Sequence, residues 1–435
     1  MMGAWLAHSV HLLAFAAGLA VLLAWGTRER QGTAAFAIGA LAMAGLMAVA
    51  VFAMSDPKGL FEDFREAYLE GGIAVRESRE ALAPLFEKGI NGFVNLPIVA
   101  YLFWPFAFLP FKASAVLFSL IGLACAFGAW VTLVRGLELQ RRSAALLLLA
   151  FAASGPLIYS VREGNISHFL LWPLAVAMLQ LRRGQDLRAG CLLGALAVIK
   201  LPFLLFGVYY FLRGRWRVAL GGAVVCALAV LASLAVFGWE THVRWYELCI
   251  KPYGQDPMPA FNVQSIQAFV LRLQVGAQGL FLWEVTPLSG WGKPLSAAWV
   301  VLLYAGVFLW LWRTRSVAAA LPASRPSGSD TEFMLVLALA CVTSPLSWSH
   351  YFCWFLLPAA HFFQRLDEPA IGTDRMAQVL GWFALVATSI PVISIRWPPQ
   401  LPALAEAYAR TGTSLVLAGG LAWMAWLACQ RRPPA

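Results

Sequence analysis

Between residues 56 and 88 the chain places eight carboxylates (Asp56, Glu62, Asp63, Glu66, Glu70, Glu77, Glu80 and Glu87) among Lys58, Arg65, Arg76, Arg79 and Lys88. A carboxylate held beside a hydroxyl removes its proton as that oxygen attacks; left on a solvated face, it only carries charge. Lys200 sits inside the apolar run Ile199-Lys200-Leu201-Pro202, where an ammonium costs about 2.5–3.5 kcal/mol on insertion scales. It either binds a phosphate or snorkels along its stem to the surface. His350, in Ser344-Pro345-Leu346-Ser347-Trp348-Ser349-His350-Tyr351, either donates to a leaving group or bonds to backbone at an interface. Arg162 and Asn165 share the short stretch from Val161 to His168 and offer contacts to phosphate and to sugar hydroxyls. Asn165-Ile166-Ser167 also fits a glycosylation sequon. Asn262, Gln264 and Ser265 either bind a ligand or cap a helix. With aromatic residues such as Trp348 nearby in sequence, this is the mixture that a site for a lipid-borne polar molecule requires. Aromatic faces pack sugar or prenyl groups, cations meet phosphate and a carboxylate takes a proton.

The elements that must position these groups are membrane helices. Of 435 residues, 60% are hydrophobic and 12% charged, against about 25% charged in soluble chains. The mean hydropathy is +0.71. Lipid is therefore the solvent for much of the chain, which excludes a soluble globular enzyme, a disordered protein and a disulfide-stapled secreted domain. The cysteines show no paired spacing and no CxxC, so neither a disulfide framework nor a zinc site is expected. His168, His242 and His361 have no metal-ligand spacing, and DxD and HExxH patterns are missing. No metal and no other cofactor is expected.

Long apolar runs predict spans at about 4–25, 33–54, 112–134, 143–160, 218–238, 293–312, 376–394 and 412–429, the first of them retained rather than cleaved. Shorter runs lie near 168–181, 189–199, 201–212, 332–344 and 351–364. Seven arginine-bearing linkers separate them, with Arg28 and Arg30; Arg135, Arg141 and Arg142; Arg182, Arg183 and Arg188; Arg213, Arg215 and Arg217; Arg313, Arg315 and Arg325; Arg365 and Arg375; Arg431 and Arg432. These linkers hold 18 of the 32 basic residues and 8 of the 22 acids, which is the entire net charge of +10. The positive-inside rule puts all seven on the cytoplasmic side, so topology accounts for the excess charge and nucleic acid is not an expected partner. The N-terminus is then outside, the C-terminus inside, and thirteen spanning or partly spanning segments satisfy the odd parity. Between Arg188 and Arg213 each leg has only about 12 residues, too few for a full span at ~1.5 Å per residue. This predicts a short helical hairpin with Lys200 at its tip, inside the protein. Outer loops of about 55–111 and 239–292 remain. Phe61, Phe64 and Tyr68 follow a helical period, predicting an amphipathic helix on the outer membrane surface. The run 98–111, interrupted by Pro105 and Pro110, predicts a re-entrant or interfacial piece.

The ordered set of Glu62-Asp63-Phe64 with Tyr68, Gly164-Asn165-Ile166-Ser167, Lys200-Leu201-Pro202, Asn262 with Ser265, and Ser344 to His350 resembles glycosyltransferase family 87. That family lies in the GT-C superfamily of integral-membrane enzymes using polyprenyl-phosphate sugars, and the resemblance runs from about residue 60 to 360. The chain departs from the family pattern at Asn95-Leu96-Pro97, at Gly-Asn-Ile-Ser and at the single His350. The resemblance implies one all-α, GT-C-like membrane domain over residues 1–435, with the two large outer loops forming the catalytic face. It implies Asp63 as general base, with Glu62 its competitor, and His350 as the second catalytic residue. Lys200, Arg162, Asn165, Trp348 and Asn262 are then the contacts to donor phosphate and sugar. The expected donor is a polyprenyl-phosphate-linked sugar, mannose ahead of arabinofuranose, transferred with inversion to a glycolipid or polysaccharide acceptor among membrane lipid. The expected place is the outer, periplasmic face of a bacterial plasma membrane. A lipid or glycan transporter or flippase is the rival; it calls for coupling residues within the spans, where only Lys200 qualifies, and for an inverted repeat, which the sequence does not show.

Overall fold

The computed structural model describes residues 59–313, 327–366, 375–390 and 401–429. The expected spans at 4–25 and 33–54, and Arg28, Arg30, Arg315, Arg325, Arg431 and Arg432, lie outside the described residues. The described chain is helical, with a single isolated antiparallel bridge between Val263 and Trp348. A π-helical turn, Phe64–Leu69, leads into α1 (Glu70–Glu77), followed by α2 (Ala83–Glu87) and two 3-10 turns, Pro97–Leu102 and Trp104–Phe108. Then come α3 (Phe111–Gly136), α4 (Arg141–Ala153), α5 (Gly155–Glu163), α6 (Leu171–Arg182), α7 (Asp186–Ile199), α8 (Leu204–Leu212) and α9 (Trp216–Trp245). The rest are α10 (Lys251–Gln255), α11 (Ile266–Val275), α12 (Gly292–Arg313), α13 (Ser327–Thr343), α14 (Leu356–Leu366), α15 (Arg375–Ser389), α16 (Pro402–Arg410) and α17 (Leu415–Cys429).

Among the described residues, four helical stretches are long and apolar enough to cross a membrane: Phe111–Gly136, Trp216–Gln255, Gly292–Arg313 and Pro402–Cys429. The expected continuous span at 143–160 is instead two helices, α4 and α5, bent by 46° and counting as a fifth span if taken together. The break follows from Gly155-Pro156. Proline has no N–H to continue α4, and Ser154 accepts from Leu157 N at 3.2 Å to start α5. Apolar side chains remain exposed in rows along the long helices, Leu220, Val224, Leu228 and Leu231 on α9 and Val116, Leu120 and Phe127 on α3, as a lipid solvent permits.

The expected hairpin is present. Arg215, just past α8, pairs with Asp186 at the start of α7, so both legs return to one level and Lys200 lies at the far end. The same level gathers other basic linkers. Arg182 donates to the Gly136 carbonyl at 2.9 Å and lies 3.7 Å from Asp330, while Arg213 pairs with Glu332 at 2.8 Å. Helices α6, α7 and α13 each have this charged level at one end and a candidate site residue at the other, near Asn165, Lys200 and His350 respectively.

The amphipathic helix is placed differently from its expected position on the membrane surface. Phe64 and Tyr68 are buried, with Phe64 4.5 Å from the Phe118 ring and Tyr68 4.6 Å from Phe103. Its aromatic face is docked on α3 and the 3-10 turns, because interlocking rings bury more area against protein than a headgroup surface offers. The stretch 97–108 leaves Tyr101, Leu102, Trp104 and Phe108 exposed, in keeping with an interfacial piece.

Candidate functional site

Asp63 opens the π-helical turn, and its backbone is fixed from the opposite side. Phe61 N donates to the Arg162 carbonyl at 2.8 Å. Gly164 ends α5 at φ +67°, and a Cβ there would meet Phe64 Cβ at 2.6 Å. Glycine is thus needed twice over, for the left-handed cap and for the close approach of the Asp63 turn. Across this contact Asn165 Nδ2 donates to Asp63 Oδ2 at 2.6 Å. The amide orientation is determined by chemistry: Asn165 Oδ1 accepts from Ser167 N at 3.0 Å, a group that only donates, so the NH2 must face the carboxylate. Burial raises the Asp63 pKa above its ordinary 3.8, opposed by the Asn165 hydrogen bond and by the Lys200 charge, with Glu62 adding to the rise. Glu62 itself is exposed, so the two neighbouring acids are separated by the fold: one faces the site, the other solvent. Asn165 is buried, bonded and unavailable as a glycosylation acceptor in this fold.

Lys200 breaks the helix between α7 and the 3-10 turn Leu201–Phe203. Asn95 Nδ2 holds that joint by donating to the Ile199 carbonyl at 2.7 Å. The ammonium lies 4.8 Å over the Tyr351 ring, a cation–π contact. Tyr351 adjoins His350, whose ring lies near-parallel to those of Trp348 (12°, 6.2 Å) and Tyr159 (22°, 6.2 Å). His350 is 4% exposed, and neither ring nitrogen has a hydrogen-bond partner among the described residues. A buried imidazole with two unmet nitrogens is destabilising by about 1–3 kcal/mol per lost bond, and such groups call for a ligand or a catalytic role.

The His350 segment is clamped to the loop that precedes α11. Ser349 N donates to the Asn262 carbonyl at 2.7 Å and Gln264 N to the Ser347 carbonyl at 2.5 Å. Asn262 Nδ2 donates to Tyr159 Oη at 3.1 Å, and Trp283 Nε1 donates to Asn262 Oδ1 at 3.0 Å. Arg162 pairs with Glu163 at 2.9 Å and lies 6.0 Å from the Tyr159 ring centroid. The fold therefore brings Asp63, Asn165, Arg162, Lys200, Trp348, His350 and Asn262 into one connected set. Gln264 and Ser265 serve the scaffold: Gln264 bonds the Phe261 and Thr413 carbonyls, and Ser265 caps α11 through Ala268 N.

Three members were not singled out from sequence: Tyr159, Glu163 and Tyr351. Tyr159, Arg162 and Glu163 follow an i, i+3, i+4 spacing, so they share a helix face, and that spacing is the signal that was there to read. Beneath the loop, the fully buried Arg272 donates to the carbonyls of Pro259 (3.3 Å), Ala260 (3.1 Å) and Val263 (2.7 Å) and to Ser414 Oγ (2.8 Å). Arg272→Met is expected to lower thermal stability markedly in detergent, because each orphaned acceptor costs about 1–3 kcal/mol. Limited proteolysis should then cut within 255–265; an unchanged melting temperature and cleavage pattern would show that the guanidinium does not organise this loop.

Comparison with known proteins bears on this set. The profile of glycosyltransferase family 87 matches residues 93–345, over half of the chain, including Arg162, Asn165, Lys200 and Asn262; Asp63 and His350 lie outside that match. A polyprenol-phosphate-mannose-dependent alpha-(1-2)-phosphatidylinositol mannoside mannosyltransferase from Mycobacterium tuberculosis is 26% identical over 329 residues, covering 72% of this chain and 69% of the relative. A phosphatidylinositol pentamannoside mannosyltransferase of the same donor dependence and linkage, from Mycolicibacterium smegmatis, is 26% identical over 349 residues, covering 78% and 77%.

Proposed function

The chain belongs to glycosyltransferase family 87, and on that premise we propose that it transfers a mannosyl group from a polyprenyl-phosphate donor to a hydroxyl of a mannosylated glycolipid. The observation that supports this most is the meeting, from four separate segments, of a carboxylate, a cation and an imidazole without a hydrogen-bond partner among the described residues: Asp63 on Asn165, Lys200 over Tyr351, and His350 beside Trp348 and Tyr159. In the proposed step Asp63 accepts the acceptor's hydroxyl proton while that oxygen forms its bond to the anomeric carbon. The carbon–oxygen bond to phosphate breaks on the opposite face, and its electron pair leaves with polyprenyl phosphate. A single displacement of this kind inverts a β-linked donor into an α-linked product. Lys200 meets the phosphate as a charge, and His350 donates to the oxygen on which negative charge grows. Arg162, Asn165, Trp348 and Asn262 orient phosphate and sugar.

The purified full chain, given radiolabelled polyprenyl-phosphate mannose and phosphatidylinositol mannosides, is expected to move label into a larger glycolipid that an α-mannosidase cleaves. Transfer from a polyprenyl-phosphate arabinofuranose donor in its place, or transport without transfer, would overturn the reading.

We place the site at the outer leaflet of a bacterial inner membrane, within thirteen spanning or partly spanning segments. The charged level formed by Arg182, Arg213 and Arg215 supports a cytoplasmic assignment for its own end of the helices, away from the site. With the exposed Cys429 replaced by serine, an impermeant thiol reagent on intact cells is expected to label Glu80→Cys and to leave Arg183→Cys unlabelled until the membrane is opened. The reverse pattern would invert the topology.

A further inference from the structure

We propose that Trp283 is a stacking platform for a sugar ring of the acceptor glycan, an inference that rests on the glycosyl-transfer reading. Trp283 is 38% exposed on the outer loop, and its indole edge is built into the protein. Phe261 and Phe281 lie edge-on at 5.8 and 6.4 Å, and the indole N–H donates inward to Asn262 Oδ1 at 3.0 Å. Phe281 beside it is 39% exposed. A membrane-belt tryptophan behaves otherwise, turning its N–H to the headgroups. Trp239 and Trp291, 72% and 54% exposed and with no hydrogen bond from the indole N–H to any described residue, have that character. Trp283 is the rigid kind of aromatic surface, with a planar amide at its edge, that packs against the C–H face of a hexose.

Its place in the contact order selects the acceptor. Contacts run from Lys200 to Tyr351, His350, Tyr159, Asn262 and then Trp283. The donor phosphate belongs at the Lys200 end. The reacting carbon must lie between that phosphate and the attacking hydroxyl, which meets Asp63 at the end of α5, the helix that carries Tyr159; the rest of the acceptor then extends away from Lys200, past Asn262 toward Trp283. There Trp283 bonds Asn262, which adjoins the bridge Val263–Trp348 and whose carbonyl accepts from Ser349 N beside His350. An acceptor ring on the indole is therefore registered against the imidazole through one side chain, Asn262.

The test uses the full chain in detergent, polyprenyl-phosphate mannose as donor and an alkyl α-mannoside of short chain as acceptor. Trp283→Ala and Trp283→Leu are each expected to raise acceptor KM about tenfold, the size of about 1.4 kcal/mol of lost contact, with donor KM within about twofold. Trp283→Phe keeps an aromatic face and is expected to hold acceptor KM within about threefold while losing the N–H. Equilibrium binding of the tritiated mannoside without donor should weaken in the same order. A rise in donor KM with acceptor KM unchanged would move the platform to the donor sugar and overturn the proposal. Unchanged constants in all three variants would make Trp283 a belt residue. If the wild-type protein transfers no mannose yet binds the mannoside through Trp283, the transfer reading fails and the platform stands.

Discussion

Asp63→Asn is expected to lower mannosyl transfer by about 10²- to 10⁴-fold, the contribution of a positioned general base, with donor binding retained. The amide keeps the shape of the carboxylate and loses its basicity. Its fold should survive, because the position is held by backbone: Phe61 N on the Arg162 carbonyl and the Gly164 cap beneath Phe64. Glu62→Gln is the internal control and is expected to leave activity near wild type, since Glu62 is exposed. A pH profile gives the same group a second readout. Burial raises the Asp63 pKa, and the base acts only when ionised, so kcat/KM should fall as pH drops through a value above 3.8. Lys200 opposes that rise, so removing its charge should shift the acidic limb further upward. A fully active Asp63→Asn, or an acidic limb unmoved by it, would assign the base elsewhere.

Lys200→Met and His350→Ala should fail in different ways. The ammonium is a full charge and meets the phosphate in both ground and transition states, so its loss is expected mainly to raise donor KM, by about 10- to 100-fold. Methionine keeps much of the stem, and the joint stays tied by Asn95 to the Ile199 carbonyl. The imidazole bond tightens as charge develops on the departing oxygen, so His350→Ala is expected mainly to lower kcat, by about 10²- to 10³-fold, as for removal of an oxyanion donor. Neither ring nitrogen has a hydrogen-bond partner among the described residues, so no hydrogen bond among them is lost with the ring. Steady-state kinetics with a water-soluble short-chain donor separates the two effects. Unchanged KM and kcat in both variants, with normal melting temperatures, would make the two residues structural and pass the phosphate to Arg162.

The amino-acid sequence by itself specifies most where the physics is one-dimensional. Apolar run length determined α3 and α12 to within two residues, and α9 at its start though not at its end, which lies seven residues past the expected 238, because a spanning helix needs only enough consecutive apolar surface. Charge placement separated the basic level from the site level. Twelve residues per leg were enough to require the hairpin that presents Lys200, since rise per residue is a constant. Residue type marked Asp63, Lys200 and His350 as groups with chemistry.

What only the tertiary structure decided concerns distance between segments far apart in sequence, on which periodicity is silent. Glu62 and Asp63 are equivalent in type and adjacent in sequence; only the contact with Asn165, 102 residues away, turns one inward. Phe64 and Tyr68 look the same whether they face headgroups or Phe118, because an apolar stripe specifies that it must be covered and not by what. The break between α4 and α5, by contrast, was written in Gly155-Pro156 but outweighed by hydropathy. Tyr159, Tyr351 and Trp283 gain their significance from the rings and amides that the fold sets beside them, and that is a property of packing, which no single segment carries alone.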